Sequence, residues 1–458
     1  MKSENFKGRY KELDELNKRY NGTRKEFGVI YGRRRIGKSV LLGEFIDGKK
    51  GLFFQAKKNN SYGNLASFSY ELNKLLNQPK GFVYSSWEEA FDVINELSKE
   101  QRFVLIIDEY PYIVEQEDSF PSVLQEFIDR ANENLFLIIS GSDVSLLKKE
   151  IKDHASPLYK RRTFEMAIAK MPHNEAIEFL SQYDNETKCN YLALMSTYPY
   201  YLAAINFNMT FEENIKNLLF NQYGSFFTLP DQLLSNSTKV QDVYNAILNA
   251  IAHRKTTNKE IADYIHEEEA KVSKYLSTLL ESELVIKCET FMGNKKTNYY
   301  KIGDSLLKFW YYFIFENQER IKVNGQKVFE ELKEKIYQFI SYGFEDVCKL
   351  YLTQLNINGD LEDVFPEIQT YRVEKSMLGR SIEVDGLSKV NNKLMVVECK
   401  YRKTKFDLYM LEHLIENASV FPDKLERCYY IFSKSGFTEE VKSYYKENIH
   451  MYELKDLF

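Results

Sequence analysis

The feature that most constrains this chain is a glycine-rich loop set between two apolar segments. Residues 32–39 read Gly-Arg-Arg-Arg-Ile-Gly-Lys-Ser and match the pattern GxxxxGK[ST] at every fixed position. An apolar run, residues 27–31, precedes the loop, and a run of helical character, residues 40–46, follows it. A strand, a glycine loop and a helix in this order form a phosphate-binding loop. The sequence therefore predicts an α/β fold with a triphosphate site at the end of its first strand.

The positions of this loop have predicted roles in nucleotide binding. Gly32 and Gly37 allow the backbone N–H groups to curl around the phosphates. Lys38 is expected to reach the β and γ phosphates, and the Ser39 hydroxyl is expected to be a ligand of Mg²⁺. The other four positions contribute backbone to the phosphate cradle: Arg33, Arg34, Arg35 and Ile36. The three arginine side chains are expected to point outward to partners.

A second motif lies where a nucleotide-binding sheet requires it. Five consecutive apolar residues, 103–107, are followed by Asp108 and Glu109. Such a run predicts a strand buried on both faces, with its carboxyl end at the ligand edge of a parallel sheet. Asp108 would hold Mg²⁺ there, and Glu109 would orient or deprotonate the attacking water. The alternative is an exposed acidic turn, but the upstream loop favours hydrolysis of ATP or GTP.

The segments between and after these motifs predict the rest of the sheet. Apolar runs at 51–54 and 135–139 alternate with helical patterns, which indicates a three-layer αβα sheet with parallel strands. Ser140 or Ser142, at the end of the later run, would sense the γ-phosphate, although an ordinary turn explains them equally well.

Two adjacent arginines, Arg161 and Arg162, precede the last strand of this sheet, at 163–168. A guanidinium group here would reach the γ-phosphate of a neighbouring subunit and stabilise the charge of the transition state. This interpretation predicts a homo-oligomer with an arginine finger in trans. A solvated or salt-bridged pair of arginines is an equally weighted alternative.

The middle of the chain changes character. Residues 171–235 are wholly helical in pattern, which suggests a lid that converts nucleotide turnover into movement. Residues 236–320 predict three helices and a β-hairpin with its turn at 292–297, the order of a winged helix-turn-helix. The segment carries twelve basic and twelve acidic residues, so it has no overall basic footprint. DNA contact and a packing or protein-docking role therefore remain equally open for it.

The last third, residues 321–458, carries a second chemical pattern. A short strand that ends at Asp385 is followed by a strand with Glu398 and Lys400 on one face. The two carboxylates could hold a divalent cation, and the lysine could position water or stabilise the charged phosphate. Glu345, on a preceding helix, is a further candidate ligand. The spacing alone is weak evidence, but the predicted element order αβββαβ favours the restriction-endonuclease-like PD-(D/E)xK arrangement.

Composition sets broad limits on location and partners. The net charge is −5, so no global feature indicates nucleic-acid binding, although a local basic patch remains compatible with DNA. The five cysteines are scattered, which favours buried thiols in a reducing compartment over a disulfide framework or a zinc site. No apolar run is long enough to span a bilayer. We therefore expect a cytoplasmic protein without a membrane partner.

Taken along its length, the chain resembles the archaeal-type P-loop ATPase family of the AAA+/STAND group. The resemblance is carried by residues 6–9, 31–39, 107–111, 140–142, 156–162, 199–202, 309–310, 383–385 and 398–400. It implies ATP as the nucleotide, with Mg²⁺, and four parts: an ATPase core (1–170), a helical lid (171–235), a winged helix (236–320) and a nuclease-like domain (321–458). The alternative is a STAND-like signalling ATPase whose C-terminal domain is only a scaffold.

Overall fold

The structure, a computed structural model, describes residues 6–234, 238–289, 298–373, 379–444 and 446–458. The chain divides into two compact units, Met1–Met171 and Pro172–Phe458. The predicted hairpin turn at 292–297 lies outside the described residues. None of the helices in the described ranges combines the length and the apolar character that a membrane crossing requires.

The first unit is built on a five-stranded parallel sheet. The strands are β1 (Glu26–Tyr31), β2 (Gly51–Gln55), β3 (Phe103–Asp108), β4 (Leu135–Gly141) and β5 (Phe164–Ala167). Their order in the sheet is β2-β3-β4-β1-β5. β4 therefore separates the strand that enters the glycine loop from the strand that ends in Asp108. The sheet confirms the predicted α/β fold with parallel strands.

The apolar runs recognised in the sequence form the core of this sheet. Every residue of β1, β3 and β4 is buried, as expected for strands covered on both faces. Aromatic rings on the helices at residues 87–100 and 120–130 pack beside them; for example, the Phe91 and Phe127 rings stack with centroids 4.6 Å apart. The helices of this unit are α1 (Tyr10–Tyr20), α2 (Lys38–Ile46), α3 (Ser61–Leu75), α4 (Trp87–Glu100), α5 (Pro111–Val114), α6 (Phe120–Arg130) and α7 (Val144–Lys152).

The second unit begins with a helical segment. Its helices are α8 (His173–Ala176), continued by a 3₁₀ turn (Ile177–Leu180), α9 (Asn185–Met195), α10 (Pro199–Leu202), α11 (Phe211–Leu219) and α12 (Leu229–Leu233). Seven consecutive residues of α9 are buried, so this helix is enclosed by its own unit and is not a surface element.

Three helices and a two-stranded antiparallel sheet come next. They are α13 (Thr238–Ala252), α14 (Asn258–Ile265), α15 (Glu269–Glu281), β6 (Val285–Glu289) and β7 (Asn298–Ile302). α14 starts with a capping box, in which the Thr257 hydroxyl and the Glu260 carboxylate satisfy each other's backbone N–H groups. A short helix, α16 (Ser305–Phe309), and a π-helical turn (Trp310–Ile314) then lead, through a 3₁₀ turn (Phe315–Asn317), to the longest helix.

That helix, α17 (Gln318–Asn358), is kinked near its start. Asn324 has non-helical backbone angles, and its side-chain oxygen accepts a hydrogen bond from the Lys327 N–H, so it caps the helix that follows. At Gly325 a Cβ atom would lie 1.7 Å from the Phe220 carbonyl oxygen. Glycine is therefore required where the kink meets the residues after α11.

α17 packs against α9 and against a second sheet. Its strands are β8 (Gln369–Val373), β9 (Ile382–Val390), β10 (Lys393–Lys400), β11 (Glu426–Ser433) and β12 (Ile449–Glu453), in the order β12-β11-β10-β9-β8. β8, β9 and β10 are antiparallel neighbours, whereas β10, β11 and β12 run parallel. The helices α18 (Leu408–Ala418) and α19 (Glu439–Ser443) and a final 3₁₀ turn (Leu454–Leu457) complete the unit.

One strand differs from the prediction. The sequence suggested a short strand that ends at Asp385, but β9 continues through this residue to Val390. The continuation pairs with β10 from Gly386 onward, because the apolar residues at 394–397 extend the ladder to a turn at 391–392. Asp385 therefore lies within a strand, immediately beyond the last pair of that ladder.

The first turn of α8 is tied to the end of the chain by a buried histidine. His173 is 3% exposed, and its Nε2–H donates to the Leu457 carbonyl oxygen over 2.7 Å. Burial lowers the pKa of this imidazole, and the hydrogen bond to Leu457 opposes that effect only in part. The folded protein therefore holds His173 neutral at a pH where an unfolded chain, with an ordinary pKa near ~6.5, takes up a proton.

We predict that His173 makes the second unit less stable in acid. Because the unfolded state binds the extra proton, the contribution of His173 is fully present above about pH 7 and is lost as the pH falls below about 6.5, by up to ~1.4 kcal/mol per pH unit. The measurement is urea unfolding of the full chain and of His173→Gln between pH 8 and pH 5. The stability difference between the two proteins should shrink towards pH 5; a constant difference would contradict a neutral buried imidazole.

Candidate functional site

The glycine loop adopts a conformation that its sequence makes possible. Gly37 precedes α2 with φ of 96°, a region in which a side chain is strained. The Lys38 side chain is 5% exposed and folds over the loop, where Nζ donates to the carbonyl oxygens of Gly32 (2.8 Å) and Arg33 (3.2 Å). Burial lowers the pKa of Lys38, while the Glu109 and Asp108 carboxylates act in the opposite direction.

A buried carboxylate joins this loop to the rest of the sheet edge. Asp108 is fully buried and accepts hydrogen bonds from the hydroxyls of Ser39 (2.7 Å) and Ser140 (2.5 Å). The Gln55 side-chain amide adds a longer bond of 3.3 Å. The structure thus brings together the two side chains that the sequence predicted as ligands of Mg²⁺, Ser39 and Asp108. Hydroxyl and carboxylate oxygens are suitable donors for that hard cation.

Gln55 was not recognised from the sequence, although a signal was present. It is the polar last residue of an apolar strand, and it lies opposite Asp108 in the register between β2 and β3. The carboxyl ends of neighbouring parallel strands meet at one edge. A polar residue at such an end was therefore a candidate for the site once the order of the strands was known.

Glu109 lies beside Asp108 and turns towards the end of β4. Its backbone has φ of 55°, and its carboxylate accepts hydrogen bonds from the Ser142 backbone N–H (3.3 Å) and hydroxyl (3.1 Å). Ser142 therefore fixes the orientation of a carboxylate that faces the same loop as Lys38. This pairing gives the serine a role that the sequence left open between γ-phosphate sensing and an ordinary turn.

The loop arginines do not all point outward. Arg35 is exposed, but Arg33 is only 4% exposed, and Arg34 donates from Nη2 to the Tyr112 hydroxyl over 2.9 Å. The expectation for Arg33 was wrong because the loop starts inside the sheet edge. There the chain after β5 stays hydrogen-bonded to β1, with the Ile168 N–H 2.7 Å from the Tyr31 oxygen.

An arginine to which the sequence analysis gave no role in the site holds the loop from outside. Arg9 is 3% exposed and precedes α1. Its Nη2 donates to the Ile36 carbonyl oxygen (3.0 Å) in the loop and to the Ala169 oxygen (2.6 Å), while Nη1 pairs with Glu12 at 2.9 Å. One guanidinium group therefore fixes the glycine loop to the last residues of the first unit.

The two arginines predicted to act as an arginine finger lie near the amino ends of the strands, whereas the glycine loop follows the carboxyl end of β1. Arg161 forms a two-point ion pair with Asp129, with both distances 2.9 Å, and Arg162 pairs with Glu165 at 3.0 Å. Thr163, the next residue, bonds to Phe27 at the amino end of β1. The glycine loop begins five residues later, about 16 Å along the strand. These arginines therefore do not reach the loop of their own chain.

In the second unit, the residues of the D…ExK pattern come together. The Cys399 N–H donates to the Asp385 carboxylate over 2.8 Å, which fixes Asp385 against the strand that carries Glu398 and Lys400. Lys400 makes an ion pair with Glu398. Burial lowers the pKa of Lys400, but the charges of Glu398 and Asp385 outweigh this effect and raise it. The lysine is therefore held as a cation between two carboxyl groups.

Glu345, on α17, faces the same group of charges. Burial and the Asp385 carboxylate raise the pKa of Glu345 to about 8, and the same two causes raise that of Glu398 to about 7. Lys349, one helical turn after Glu345, lowers the pKa of both Glu345 and Asp385. Within the described ranges, however, no three His, Cys, Asp or Glu side chains are grouped as ready-made metal ligands. The predicted set thus offers carboxylates in proximity, not a complete metal cage.

The end of β10 is also fixed to the helical segment. The Tyr401 hydroxyl donates to the Asn190 side-chain oxygen over 2.8 Å, and the Tyr401 ring lies against Phe344 and under the Lys434 ammonium group. Lys434 in turn pairs with Glu186 at 2.5 Å. α9 therefore holds the residue that directly follows Lys400.

Two family models match parts of this chain, and only the first of them has a described activity. Residues 6–192 match an ATPase domain described as predominantly from Archaea. Residues 310–410 match a family of archaeal and bacterial proteins of unknown function. The match over residues 6–192 contains the glycine loop, Asp108 and Glu109, and it supports an archaeal P-loop ATPase that binds ATP.

Individual proteins resemble the chain to different extents. An uncharacterized protein of Methanocaldococcus jannaschii is 27% identical over 408 residues, 87% of this chain and 88% of the relative. An uncharacterized ATP-binding protein of the same organism is 38% identical over 45 residues, 10% of this chain and 76% of that protein. The structure of the Aeropyrum pernix ORC2 protein in its ADPNP–ADP complexes is similar with a TM-score of 0.45 and 14% identity, over 69% of this chain and 98% of that one.

We predict that Arg9→Ala weakens ATP binding by about tenfold or more. The substitution removes a charged donor to the loop carbonyl at Ile36, and hydrogen bonds from charged groups contribute on the order of 1.5–3 kcal/mol. The measurement is calorimetric titration of the full chain with ATP and Mg²⁺. Lys11→Ala, an exposed lysine two residues away, is the matched control and should bind as the wild type does. Unchanged affinity in Arg9→Ala would show that the loop keeps its shape without the guanidinium group.

Proposed function

We propose that the chain is an ATP-dependent nucleic-acid-processing enzyme. The proposal starts from the match of residues 6–192 to an archaeal-type ATPase domain. In this proposal the first unit binds and hydrolyses ATP with Mg²⁺. The second unit carries a metal-dependent phosphodiesterase site whose activity depends on the state of the ATPase. The observation that carries the proposal is the convergence of Asp385, Glu398 and Lys400 beside Glu345, in a chain whose other site is built to bind a nucleotide.

The roles in ATP hydrolysis follow from the positions of the side chains. The loop N–H groups and Lys38 bind the phosphates, and Ser39 and Asp108 hold Mg²⁺, which neutralises developing charge on the phosphates when bound. Ser142 orients the Glu109 carboxylate. Glu109 then either accepts a proton from the attacking water or aligns that water for attack. The Ser140 hydroxyl donates a hydrogen bond to the Asp108 carboxylate and so helps to fix its orientation.

The proposed phosphodiesterase site assigns one task to each charged group. Asp385 and Glu398 would hold a divalent cation, and a cation bound there would supply Lewis-acid activation of water and charge stabilisation. Two protein carboxylates are sufficient for Mg²⁺ because waters and substrate phosphate complete its shell. Lys400 orients the water or contacts the phosphate, and Glu345 is a further, outer carboxylate. The raised pKa values of Glu345 and Glu398 reflect carboxyl groups that repel one another in a buried place, which a cation would relieve.

Two further assignments belong to the proposal. The module of α13–α15 with β6 and β7 has the element order of a winged helix, and we assign to it either contact with DNA or a packing or protein-docking role. Arg161 or Arg162 would act on ATP bound to a neighbouring copy in a homo-oligomer. To do so, Arg161 would have to leave its two-point ion pair with Asp129.

A second candidate function is a signalling ATPase whose C-terminal fold is a scaffold. One observation favours it: the Lys400 ammonium group is paired with Glu398, a carboxylate that the enzymatic proposal needs for metal. The two functions differ in what the ATPase controls. If the protein is a nucleic-acid-processing enzyme, we expect metal-dependent cleavage of nucleic acid. If it is a signalling ATPase, we expect nucleotide-dependent assembly without cleavage.

The test measures ATP hydrolysis and nucleic-acid cleavage in the same samples of full-length protein. Substrates are single- and double-stranded DNA and RNA, with Mg²⁺ or Mn²⁺. Lys38→Ala should abolish ATP hydrolysis and change the rate of cleavage. Glu398→Ala should reduce cleavage by more than the ~10–100-fold that loss of an outer partner of a metal ligand costs, while ATP hydrolysis continues.

Glu426→Gln is the matched control, because it alters an exposed carboxylate on the same sheet at the start of β11. It should retain both activities. ATP hydrolysis without cleavage of any substrate by the wild type would exclude the phosphodiesterase and favour the signalling function. Cleavage that survives in Glu398→Ala would show that the phosphodiesterase lies elsewhere.

A further inference from the structure

A cationic side chain of the glycine loop reaches across the carboxyl edge of the first sheet. Arg34 is half-buried and donates from Nη2 to the Tyr112 hydroxyl over 2.9 Å. The loop follows β1, whereas Tyr112 lies on α5, after β3, and β4 separates these two strands. Neighbouring strands are about 4.8 Å apart, so this hydrogen bond joins segments that leave the sheet about 10 Å from each other. The Arg34 side chain therefore extends over the end of β4.

The turn that holds Tyr112 also carries Glu109. The Tyr112 N–H donates to the Glu109 carbonyl oxygen over 3.0 Å. α5 packs directly on the end of β4, because a Cβ atom at Gly141 would lie 2.6 Å from the Pro111 Cδ atom. The Glu109 carboxylate is fixed at the same end of β4. Arg34 is therefore directed to the part of the site at which Glu109 is held.

The charge of Arg34 is not neutralised by a carboxylate in the described part of the chain. Its partner Tyr112 is an uncharged hydroxyl, and Arg34 forms no ion pair with any of the described residues. Arg161 and Arg162, in contrast, each pair with a carboxylate. The Lys58 ammonium group lies 5.7 Å from the centroid of the Tyr112 ring and adds a second positive charge. Arg34 can therefore turn to an anion at the cost of one hydrogen bond to a neutral group.

The γ-phosphate of ATP is the anion that this position fits. In the proposed nucleotide site, the loop N–H groups and Lys38 bind the β and γ phosphates. The water that attacks the γ-phosphate lies on the side of Glu109, because Glu109 aligns or deprotonates it. The Arg34 side chain is directed to that side. A guanidinium group at this place stabilises the charge of the phosphoryl group that is transferred.

We propose that Arg34 contacts the γ-phosphate of ATP bound to its own chain and stabilises the charge that develops during hydrolysis. The water oxygen bonds to the γ-phosphorus, the bond from that phosphorus to the β–γ bridging oxygen breaks, and the products are ADP, inorganic phosphate and one proton. Arg34 exchanges no proton. Tyr112 is a positioning residue, whose hydroxyl holds the guanidinium group over the sheet edge. The inference rests on the proposed ATPase function and adds to it a positive charge in cis.

The experiment measures nucleotide binding and hydrolysis by the full-length protein with Mg²⁺. Calorimetric titration compares ADP with the non-hydrolysable ATP analogue AMPPNP. Arg34→Ala should weaken binding of AMPPNP by about tenfold or more, the loss of a hydrogen bond from a charged group, and leave binding of ADP unchanged. Hydrolysis of ATP should fall by ~10³-fold or more, the size of an arginine-finger effect. This fall should be the same at low and high protein concentration, because the contact lies within one chain.

Tyr112→Phe tests the positioning role, because it removes only the hydroxyl. It should lower kcat for ATP hydrolysis and leave ADP binding unchanged. In a protein that already carries Arg34→Ala it should have no further effect, because the hydroxyl acts through the guanidinium group. Losses that add in the double variant would contradict the positioning role.

Arg24→Ala is the matched control, because it removes an exposed arginine ahead of β1, at the amino ends of the strands. It should bind both nucleotides and hydrolyse ATP as the wild type does. If Arg34→Ala weakens AMPPNP and ADP equally, or weakens neither, the inference is overturned. A fall in hydrolysis that occurs only at high protein concentration would overturn the assignment in cis. A selective loss of AMPPNP binding, in a protein that hydrolyses no ATP, would support the contact and reject the proposed hydrolysis.

Discussion

The buried carboxylate of Asp108 is the constraint on which the ATPase unit depends. A fully buried charge is costly unless hydrogen bonds compensate it. Here Ser39, Ser140 and Gln55 supply those bonds from three different elements. The strand order makes this possible, because β4 lies between β1 and β3 and delivers Ser140 to the same edge. The group that would hold Mg²⁺ is therefore also the group that joins the glycine loop to the sheet.

Contiguous motifs made the first site predictable from the sequence. The loop from Gly32 to Ser39 and the pair Asp108 and Glu109 each follow a buried strand, and parallel strands end at one edge. What could not be predicted comes from contacts between distant segments. Arg9 reaches the loop from the segment before α1, and Arg33 is buried. Neither relation leaves a pattern in the local sequence.

The second unit was less predictable, for a related reason. Alternation on β10 placed Glu398 and Lys400 on one face, but the course of β9 beyond Asp385 depends on its pairing with β10. The spacing also could not reveal that α9, from the predicted lid, bonds to Tyr401 beside Lys400. α8 starts two residues after the ATPase unit ends and leads into α9. In the proposed function, this short path along the chain is the simplest route by which the ATPase acts on the second site.

The most direct measurement of the central claim is the binding of Mn²⁺, monitored by electron paramagnetic resonance, with and without a non-hydrolysable ATP analogue. The account predicts two kinds of site. One requires the nucleotide and is lost in Asp108→Asn; the other forms without nucleotide, persists in Asp108→Asn and is lost in Asp385→Asn. If Mn²⁺ binds only with the nucleotide, or if Asp385→Asn leaves the nucleotide-independent ion in place, the second unit does not hold the proposed metal and the account is contradicted.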